Sequence, residues 1–128
     1  PADRDIVFNE LMIDWDEPVI IVEGVFDAIA AGGNAIPILG STLREQSRLF
    51  QAIAIHDTPV YMALDGDAEK KAEWIMKSML KYDLEVFKVP IDDEDVSEMG
   101  IKEFKERMEI SSPIKNEMYF FEQMLESI

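Results

Sequence analysis

The sequence contains no cysteine, and its longest apolar runs are short. The lack of cysteine excludes disulfides, thiol catalysis and cysteine-based zinc sites, and it fits a reducing compartment. No apolar run approaches the ~20 residues that a membrane span needs, and the first residues lack the basic-then-apolar order of a signal peptide. We therefore expect an intracellular protein with no membrane partner.

Positive charge is also scarce, with 12 Lys and Arg against 27 Asp and Glu and a formal net charge of −15. This balance argues against a free-standing protein that holds nucleic acid through a basic face. It allows metal-mediated contact with phosphates, because clustered acids that bind Mg²⁺ are negative until the ion arrives. With 128 residues, of which 48% are hydrophobic, the chain suffices for one domain with a real core.

The most informative stretch is 19–28, VIIVEGVFDA. Its short β-branched apolar run, stopped by Glu-Gly, predicts a strand that is buried on both faces of a parallel sheet. Glu23 then lies at the carboxyl end of that strand, where open α/β sheets bind ligands. Gly24 is expected to let the backbone turn without a Cβ, and Asp27 falls in the first turn of the next helix, where a carboxylate suits the helix dipole.

The rest of the chain alternates between strand and helix patterns. Predicted strands cover 19–23, 35–39, 60–64 and 85–89, and predicted helices cover 25–31, 43–55, 68–82 and 101–108. The alternation predicts an α/β fold with a Rossmann-like, mostly parallel, four-stranded sheet and helices on both faces. Pro37 suggests an edge or irregular strand, and Thr42 is the expected cap of the second helix.

Two terminal segments flank the predicted domain, which covers 18–110. The lead-in, 1–17, is acid-rich and could form a short helix through Ile6, Val7, Leu11 and Met12, with Trp15 as an anchor against the domain. The segment 111–128 begins with a joint, Ser-Ser-Pro, and continues with apolar residues at helical spacing. It is expected to be a helix that packs back on the domain or a linker to a neighbouring domain.

Acidic residues follow three of the four predicted strands. Since the carboxyl ends of parallel strands share one edge, Glu23, Asp27, the Asp65-Gly66-Asp67 turn and the acids of 92–98 can surround one crevice. Mg²⁺ prefers a few carboxylates and leaves positions for substrate phosphates. Each short motif is weak alone, but their common placement predicts a metal-dependent phosphate site.

The ordered motifs resemble the Toprim domain, and more narrowly the Toprim domain of bacterial-type DNA primases from bacteria and phages. They are EGxxDA at 23–28, AIPILGST at 35–42, DGD at 65–67 and, after Val-Pro, DEDVSE at 93–98. The resemblance covers about residues 18–109. It implies that Glu23 is the general acid/base, that Asp65 and Asp67 bind Mg²⁺ or Mn²⁺, and that Asp27 supports the site or the metals.

This sequence departs from the family pattern in two places. In the third motif Asp95 matches the first acid, but Ser97 stands where the second is expected, and Glu98 or Asp93 could replace it. After DGD, related primases often have Arg and Gly, whereas here Lys70 and Lys71 follow two residues later. Three cations are thus candidate phosphate contacts or, alternatively, ordinary surface charges: Arg44, Lys70 and Lys71.

The resemblance implies nucleotidyl transfer that makes an RNA primer from nucleoside triphosphates on a single-stranded DNA template. The chain lacks a zinc module and a clear basic ridge for DNA, so we expect a catalytic subdomain of a longer protein with little activity alone. A replicative helicase is a further candidate partner. The expected location is the cytoplasm of a bacterial cell or of an infected host.

Three other functions remain open. A Toprim nuclease or topoisomerase uses the same acids for strand cleavage, and the tyrosines at 61, 82 and 119 do not decide for or against it. A phosphoacceptor receiver domain also has acids at strand ends, but Glu-Gly and Asp-Gly-Asp fit it badly. A non-catalytic replication adaptor would use the aromatic C-terminal segment to bind a partner.

Overall fold

A computed structural model describes residues 13–39, 43–64, 68–91, 96–114 and 124–125. Within these ranges strands and helices alternate in the predicted order. The strands are β1 (Val19–Val22), β2 (Ala35–Pro37), β3 (Val60–Met62), β4 (Val86–Lys88) and β5 (Ser112–Ile114), and the helices are α1 (Val25–Ala31), α2 (Arg48–His56), α3 (Glu69–Leu80) and α4 (Val96–Glu109).

The five strands form one sheet in the order β2-β1-β3-β4-β5. The first four strands are parallel, and this confirms the predicted α/β class with its mostly parallel sheet. Strand β2 is an outer strand of the sheet, as Pro37 indicated. A residue without a backbone N–H is tolerated there because no further strand has to pair with it. The parallel order places the carboxyl ends of β1, β2, β3 and β4 along one edge of the sheet.

The fifth strand was not predicted. Ser112–Ile114 pairs antiparallel with β4, with Ile114 opposite Val86, so the sheet has five strands rather than four. Three residues that include Pro113 carry no strand pattern of their own, and the pairing comes from the open edge of β4. Most of the remaining C-terminal segment, and with it the predicted helix, lies outside the described residues.

Each face of the sheet has its own core, because neighbouring side chains on a strand point to opposite faces. Val19 and Ile21 join residues of α2 and α3 on one face, whereas Ile20 and Val22 join residues of α1 and α4 on the other. All four β1 side chains are buried, which confirms the two-sided burial predicted for this strand. No helix within the described ranges has the length and apolar character needed to cross a membrane.

The described part of the lead-in is a turn that is fastened to the amino-terminal side of the sheet. The Asn34 side chain accepts a hydrogen bond from the Asp14 backbone N–H at 3.0 Å and donates to the Asp14 carbonyl at 2.7 Å. The Trp15 ring stacks on His56 with centroids 4.9 Å apart. The predicted anchoring role of Trp15 is thus confirmed, and the four residues of the predicted lead-in helix lie outside the described residues.

Helix α2 begins five residues later than predicted. The segment between Leu43 and Ser47 is an irregular turn, although Leu43 is buried in the core. The Ser47 hydroxyl caps the helix by accepting a hydrogen bond from the Phe50 backbone N–H at 3.1 Å. The predicted cap, Thr42, lies outside the described residues. Leu43 reaches the core from a turn, so its apolar character did not mark the start of the helix.

Helix α4 begins earlier than predicted, at Val96 rather than Ile101. Gly100 interrupts it with φ 82° and ψ 164°, a conformation that L side chains rarely adopt. The sequence pattern was interpreted as a loop up to this glycine, but the helical turn before it already buries Val96. Part of the acidic third motif therefore belongs to a helix.

We predict that Ser47→Ala lowers the free energy of unfolding by about 1 kcal/mol, because the Phe50 N–H loses its acceptor at the helix start. Chemical denaturation followed by circular dichroism measures this change. Ser47→Thr, which keeps a capping hydroxyl, is the matched control and should lose much less. Equal stability of the alanine variant and the parent would show that the cap is not needed.

Candidate active site

Glu23 directly follows β1 at the carboxyl edge of the sheet. Its backbone carbonyl accepts a hydrogen bond from the Leu39 N–H at 2.8 Å, one step beyond the bond between Ile38 N–H and the Val22 carbonyl. These bonds hold the backbone of Glu23 against the chain that leaves β2. The neighbouring strand on the other side is β3, which leads into the Asp-Gly-Asp sequence.

The Glu23 carboxylate forms an ion pair with Lys71 of α3. The Lys71 Nζ lies 3.1 Å from Oε1 and 3.3 Å from Oε2 of Glu23. The two side chains are only 22% and 28% exposed, so solvent screens this pair less than an ordinary surface pair. The structure therefore brings together the predicted acid/base residue and one of the predicted phosphate contacts, from positions 48 residues apart.

The Asp27 side chain links the start of α1 to the start of α4 at the carboxyl edge of the sheet. Its Oδ2 accepts a hydrogen bond from the Gly24 N–H at 3.1 Å, which satisfies a backbone donor at the start of α1. Its Oδ1 accepts from the Ser97 N–H at 2.9 Å and so holds the beginning of α4 against α1. A carboxylate that bonds the first turns of two helices is well placed, since both ends carry partial positive charge.

Ser97 contacts Asp27 through its backbone N–H. The family pattern predicts an acid at this position, but the contact with Asp27 needs only the amide N–H. The sequence signal for this contact was the Asp-Val step at 95–96, a pattern that is typical of a helix start. Sequence analysis missed it because the segment was interpreted as a loop.

Gly24 has an ordinary backbone conformation. Its φ of −127° and ψ of 171° are extended and open to any residue, contrary to the expected need for a residue without Cβ. An added Cβ would lie 3.5 Å from the Asp27 Oδ2, which is van der Waals contact. The glycine is therefore compatible with close packing around Asp27 but is not required by the turn.

The other two predicted phosphate contacts differ from Lys71 in burial. Lys70 is exposed in the first turn of α3, and Arg44 is exposed in the turn before α2. The residue after Arg44, Glu45, accepts hydrogen bonds from the Lys81 Nζ at 2.8 Å and the Tyr82 hydroxyl at 3.1 Å. These contacts fasten the turn that carries Arg44 to the end of α3, and sequence analysis did not identify them.

The same cluster changes the acidity of its members. The hydrogen bond from Lys81, followed by that from Tyr82, lowers the pKa of the Glu45 carboxyl below its usual value. The hydrogen bond to Glu45 likewise raises the pKa of Lys81 and that of Tyr82. Glu45 is thus ionised and Lys81 protonated at neutral pH, so this ion pair persists beside α3.

Three of the predicted metal ligands, Asp65, Asp67 and Asp95, lie outside the described residues. Within the part of the chain that the structure describes, no group of three or more His, Asp and Glu side chains could hold a metal ion. Glu23 and Asp27, two of the predicted site acids that the structure describes, offer only oxygen donors, and two backbone N–H groups use part of the acceptor capacity of Asp27. This donor type fits a hard cation such as Mg²⁺ or Mn²⁺.

We predict that Asp27→Ala detaches the start of α4 from α1. The Gly24 and Ser97 N–H groups both lose their acceptor, and we expect a loss of about 1–3 kcal/mol in stability and faster amide exchange at these two positions. Hydrogen exchange measured by NMR tests this. Glu106→Ala, at an exposed position of α4, is the control and should leave both exchange rates unchanged. Unchanged exchange at Ser97 in the Asp27 variant would contradict the prediction.

Comparison with known proteins places the chain near a primase. No model of a known family matches the sequence, and no curated protein matches it. Among solved structures, the crystal structure of the Aquifex aeolicus primase, comprising its zinc-binding and RNA polymerase domains, matches with 29% sequence identity and a TM-score of 0.57. The match covers 77% of this chain and 27% of that one, so this chain corresponds to about a quarter of the two-domain chain in that crystal structure. The protein is similar in both sequence and structure to part of a primase.

Proposed function

We propose that the chain is the catalytic Toprim subdomain of a DNA primase and acts in metal-dependent nucleotidyl transfer during RNA primer synthesis on a DNA template. The observation that carries the proposal is the Glu23–Lys71 pair at the carboxyl edge of a parallel sheet. The similarity to the Aquifex aeolicus primase supports the same reaction class. The substrates would be nucleoside triphosphates and a single-stranded template.

In this proposal Glu23 handles the proton of the reaction. Its carboxylate is the group at the edge that can accept a proton from the attacking 3′-hydroxyl, a role that contributes about 10²–10⁴-fold in rate for a well-placed acid/base. The hydrogen bond between the Glu23 carbonyl and the Leu39 N–H holds the backbone from which this side chain extends. A nucleophile bound at the β1 and β3 ends would therefore meet a carboxylate of defined position.

Lys71 supplies a mobile positive charge to the same place. Its flexible four-carbon stem allows the ammonium to move from the Glu23 carboxylate to a phosphate oxygen of an arriving triphosphate. That exchange would leave Glu23 ready to accept a proton at the moment when substrate is present. The Lys71 side chain would thus have two states, the observed ion pair with Glu23 and the proposed contact with a phosphate.

The proposed metal site combines the described acids with others that follow β3 and β4 in sequence. Asp65 and Asp67, with Asp95 and Asp27, would hold Mg²⁺ or Mn²⁺, which when bound stabilises negative charge on the phosphoryl oxygens. Asp27 also serves the site without metal, because it holds the starts of α1 and α4 together. The arrangement of the edge then depends on Asp27 even before substrate binds.

The chain alone is expected to make little primer. It spans 27% of the primase that it resembles, and its charge of −15 repels a nucleic acid. In this proposal template binding is shared with other parts of a full-length protein, which works in the cytoplasm of a bacterial cell or an infected host. A replicative helicase would be a further partner there.

We predict that Glu23→Gln in the full-length protein lowers primer synthesis by about 10²–10⁴-fold, because the amide cannot accept the proton, while metal binding persists. Incorporation of labelled nucleoside triphosphates into primer measures the loss, and Mn²⁺ titration calorimetry measures metal binding. Glu85→Gln, at an exposed position before β4 on the opposite edge, is the matched control and should retain synthesis.

Two results would contradict the proposed function. Unchanged priming by the Glu23 variant would favour a non-catalytic adaptor. Strand cleavage without any nucleotide incorporation by the parent protein, lost in the same variant, would favour a Toprim nuclease instead.

We also predict that Lys71→Met lowers primer synthesis by about 10- to 100-fold, since a charge-assisted hydrogen bond is worth about 1.5–3 kcal/mol. Lys71→Arg keeps the charge and should recover part of the activity. A raised KM for nucleoside triphosphate would show contact with the substrate, whereas a lowered kcat alone would show an effect through Glu23. Lys102→Met, on the surface of α4, is the control, and equal activity of the two methionine variants would contradict the role of Lys71.

A further inference from the structure

Helix α1 differs from the other helices in the side chains that it exposes. Its three exposed residues are all apolar, with exposed fractions of 39% for Val25, 77% for Phe26 and 68% for Ile29. Asp27 is the one polar residue of α1, and its carboxylate accepts hydrogen bonds from two backbone N–H groups of the domain. We call Val25, Phe26 and Ile29 the α1 outer face.

Apolar side chains on both sides of a helix are typical of a buried helix. The inner side of α1 packs against the domain through Ala28 and Ala31, which are buried. Each of the other helices exposes charged residues, such as Arg48 in α2, Lys70 in α3 and Lys102 in α4. A helix that is apolar all round is normally covered on every side. The composition of α1 thus indicates that a further surface packs against it.

Ile101 extends the α1 outer face onto α4. A Cβ built on Gly32 would lie 3.4 Å from the Ile101 Cδ1, so this side chain lies beside the end of α1, and it is 48% exposed. Within α1, Ile29 is three positions from Phe26 and four from Val25, and these spacings make neighbours on a helix. Adjoining exposed apolar side chains mark an interaction site, whereas isolated ones are normal on a protein surface.

The α1 outer face begins at the candidate active site. Val25 is the second residue after Glu23, and Phe26 lies in the first turn of α1, next to Asp27. Leu39, another exposed apolar residue, donates its N–H to the Glu23 carbonyl at 2.8 Å. A surface that covered α1 would therefore border the edge with Glu23 and form one wall of a cleft there. Boundaries between domains are preferred places for ligand sites.

A neighbouring part of the full-length protein fits this face better than a second copy of the chain. The match takes up 27% of the primase chain, so most of a protein of that kind lies outside the matched part. A surface linked to α1 by the chain acts at an effective concentration of about millimolar. Two copies would instead bring together two net charges of −15, which repel each other. The same charge favours a partner surface with basic residues around an apolar centre.

We infer that the α1 outer face docks against an apolar surface with a basic rim in a neighbouring part of the full-length protein, and that Glu23 lies at the margin of the cleft between them. The inference rests on the proposed function only in treating the chain as part of a longer primase. The docking itself needs neither metal nor substrate.

Hydroxyl-radical footprinting of the 128-residue chain and of the full-length protein tests the inference. We expect Phe26 to be labelled in the chain alone, where it is 77% exposed, and to lose most of this labelling in the full-length protein. Ile29→Ser in the full-length protein should raise the labelling of Phe26 by roughly 10- to 100-fold, the change in a docking equilibrium that is typical when an anchor residue is lost. Circular dichroism checks that the variant folds.

Ile55→Ser is the matched control, because Ile55 is also 77% exposed but belongs to α2, which covers the opposite face of the sheet. It should leave the labelling of Phe26 in the full-length protein unchanged, and equal effects of the two serine variants would overturn the inference. Equal labelling of Phe26 in the chain and in the full-length protein would also overturn it, and this comparison needs no variant.

Protection of Phe26 in the 128-residue chain alone would overturn the inference in favour of another occupant. Protection that grows with protein concentration would identify a second copy of the chain, and protection that is independent of concentration would identify other residues of the same chain. Light scattering at the same concentrations distinguishes the two cases.

The experiment separates this inference from the proposed function, because footprinting does not depend on activity. If Phe26 is protected only in the full-length protein but Glu23→Gln still makes primer, the docking stands and the proposed function fails. If primer synthesis depends on Glu23 but Phe26 is labelled equally in both proteins, the function stands and the docking fails.

Discussion

Strand β1 is buried on both of its faces, and much of the architecture follows from this constraint. A strand that consists only of Val and Ile has no polar side to turn to water, so helices must cover it from both directions. Helices α2 and α3 cover one face, and α1 and α4 cover the other. Full burial of such side chains stabilises the fold by about 1.5–3 kcal/mol each. The polar residue that follows, Glu23, is thereby placed where the apolar run stops and the edge begins.

The edge is held by contacts between elements that are distant in sequence. Lys71 reaches Glu23 from α3, and Asp27 joins the beginnings of α1 and α4 through two backbone N–H groups. Each contact places a charge opposite a carboxylate or directs backbone dipoles toward it. In a chain with a net charge of −15, such compensation is needed wherever acids converge.

The distribution of the few basic residues separates two uses of positive charge. Lys71 faces the sheet and balances Glu23, whereas its neighbour Lys70 faces solvent in the first turn of α3. One residue step along a helix turns a side chain by about 100°, so adjacent lysines have different partners. Glu45 likewise uses Lys81 to fasten the turn before α2. The chain thus uses part of its scarce positive charge in contacts that hold the fold together.

Strong local patterns predicted most of the fold. Apolar runs located β1 to β4, and glycines located the end of α1, because burial and backbone freedom act within a few residues. Sequence patterns failed to predict an element where a contact with another residue determines its position. Strand β5 exists because β4 offers an open edge, and the start of α2 is set by the Ser47 hydroxyl rather than by the apolar Leu43.

The same division applies to the site. The sequence by itself determined that acids follow the ends of predicted parallel strands, since the alternation of strands and helices and the place where each apolar run stops are properties of the local pattern. Only the tertiary structure decided which cation meets Glu23 and that Asp27 accepts from the Ser97 backbone. These choices depend on the rotation of α3 and α4 about their axes against the sheet. Packing across a whole face sets that rotation, and no local stretch of sequence encodes it.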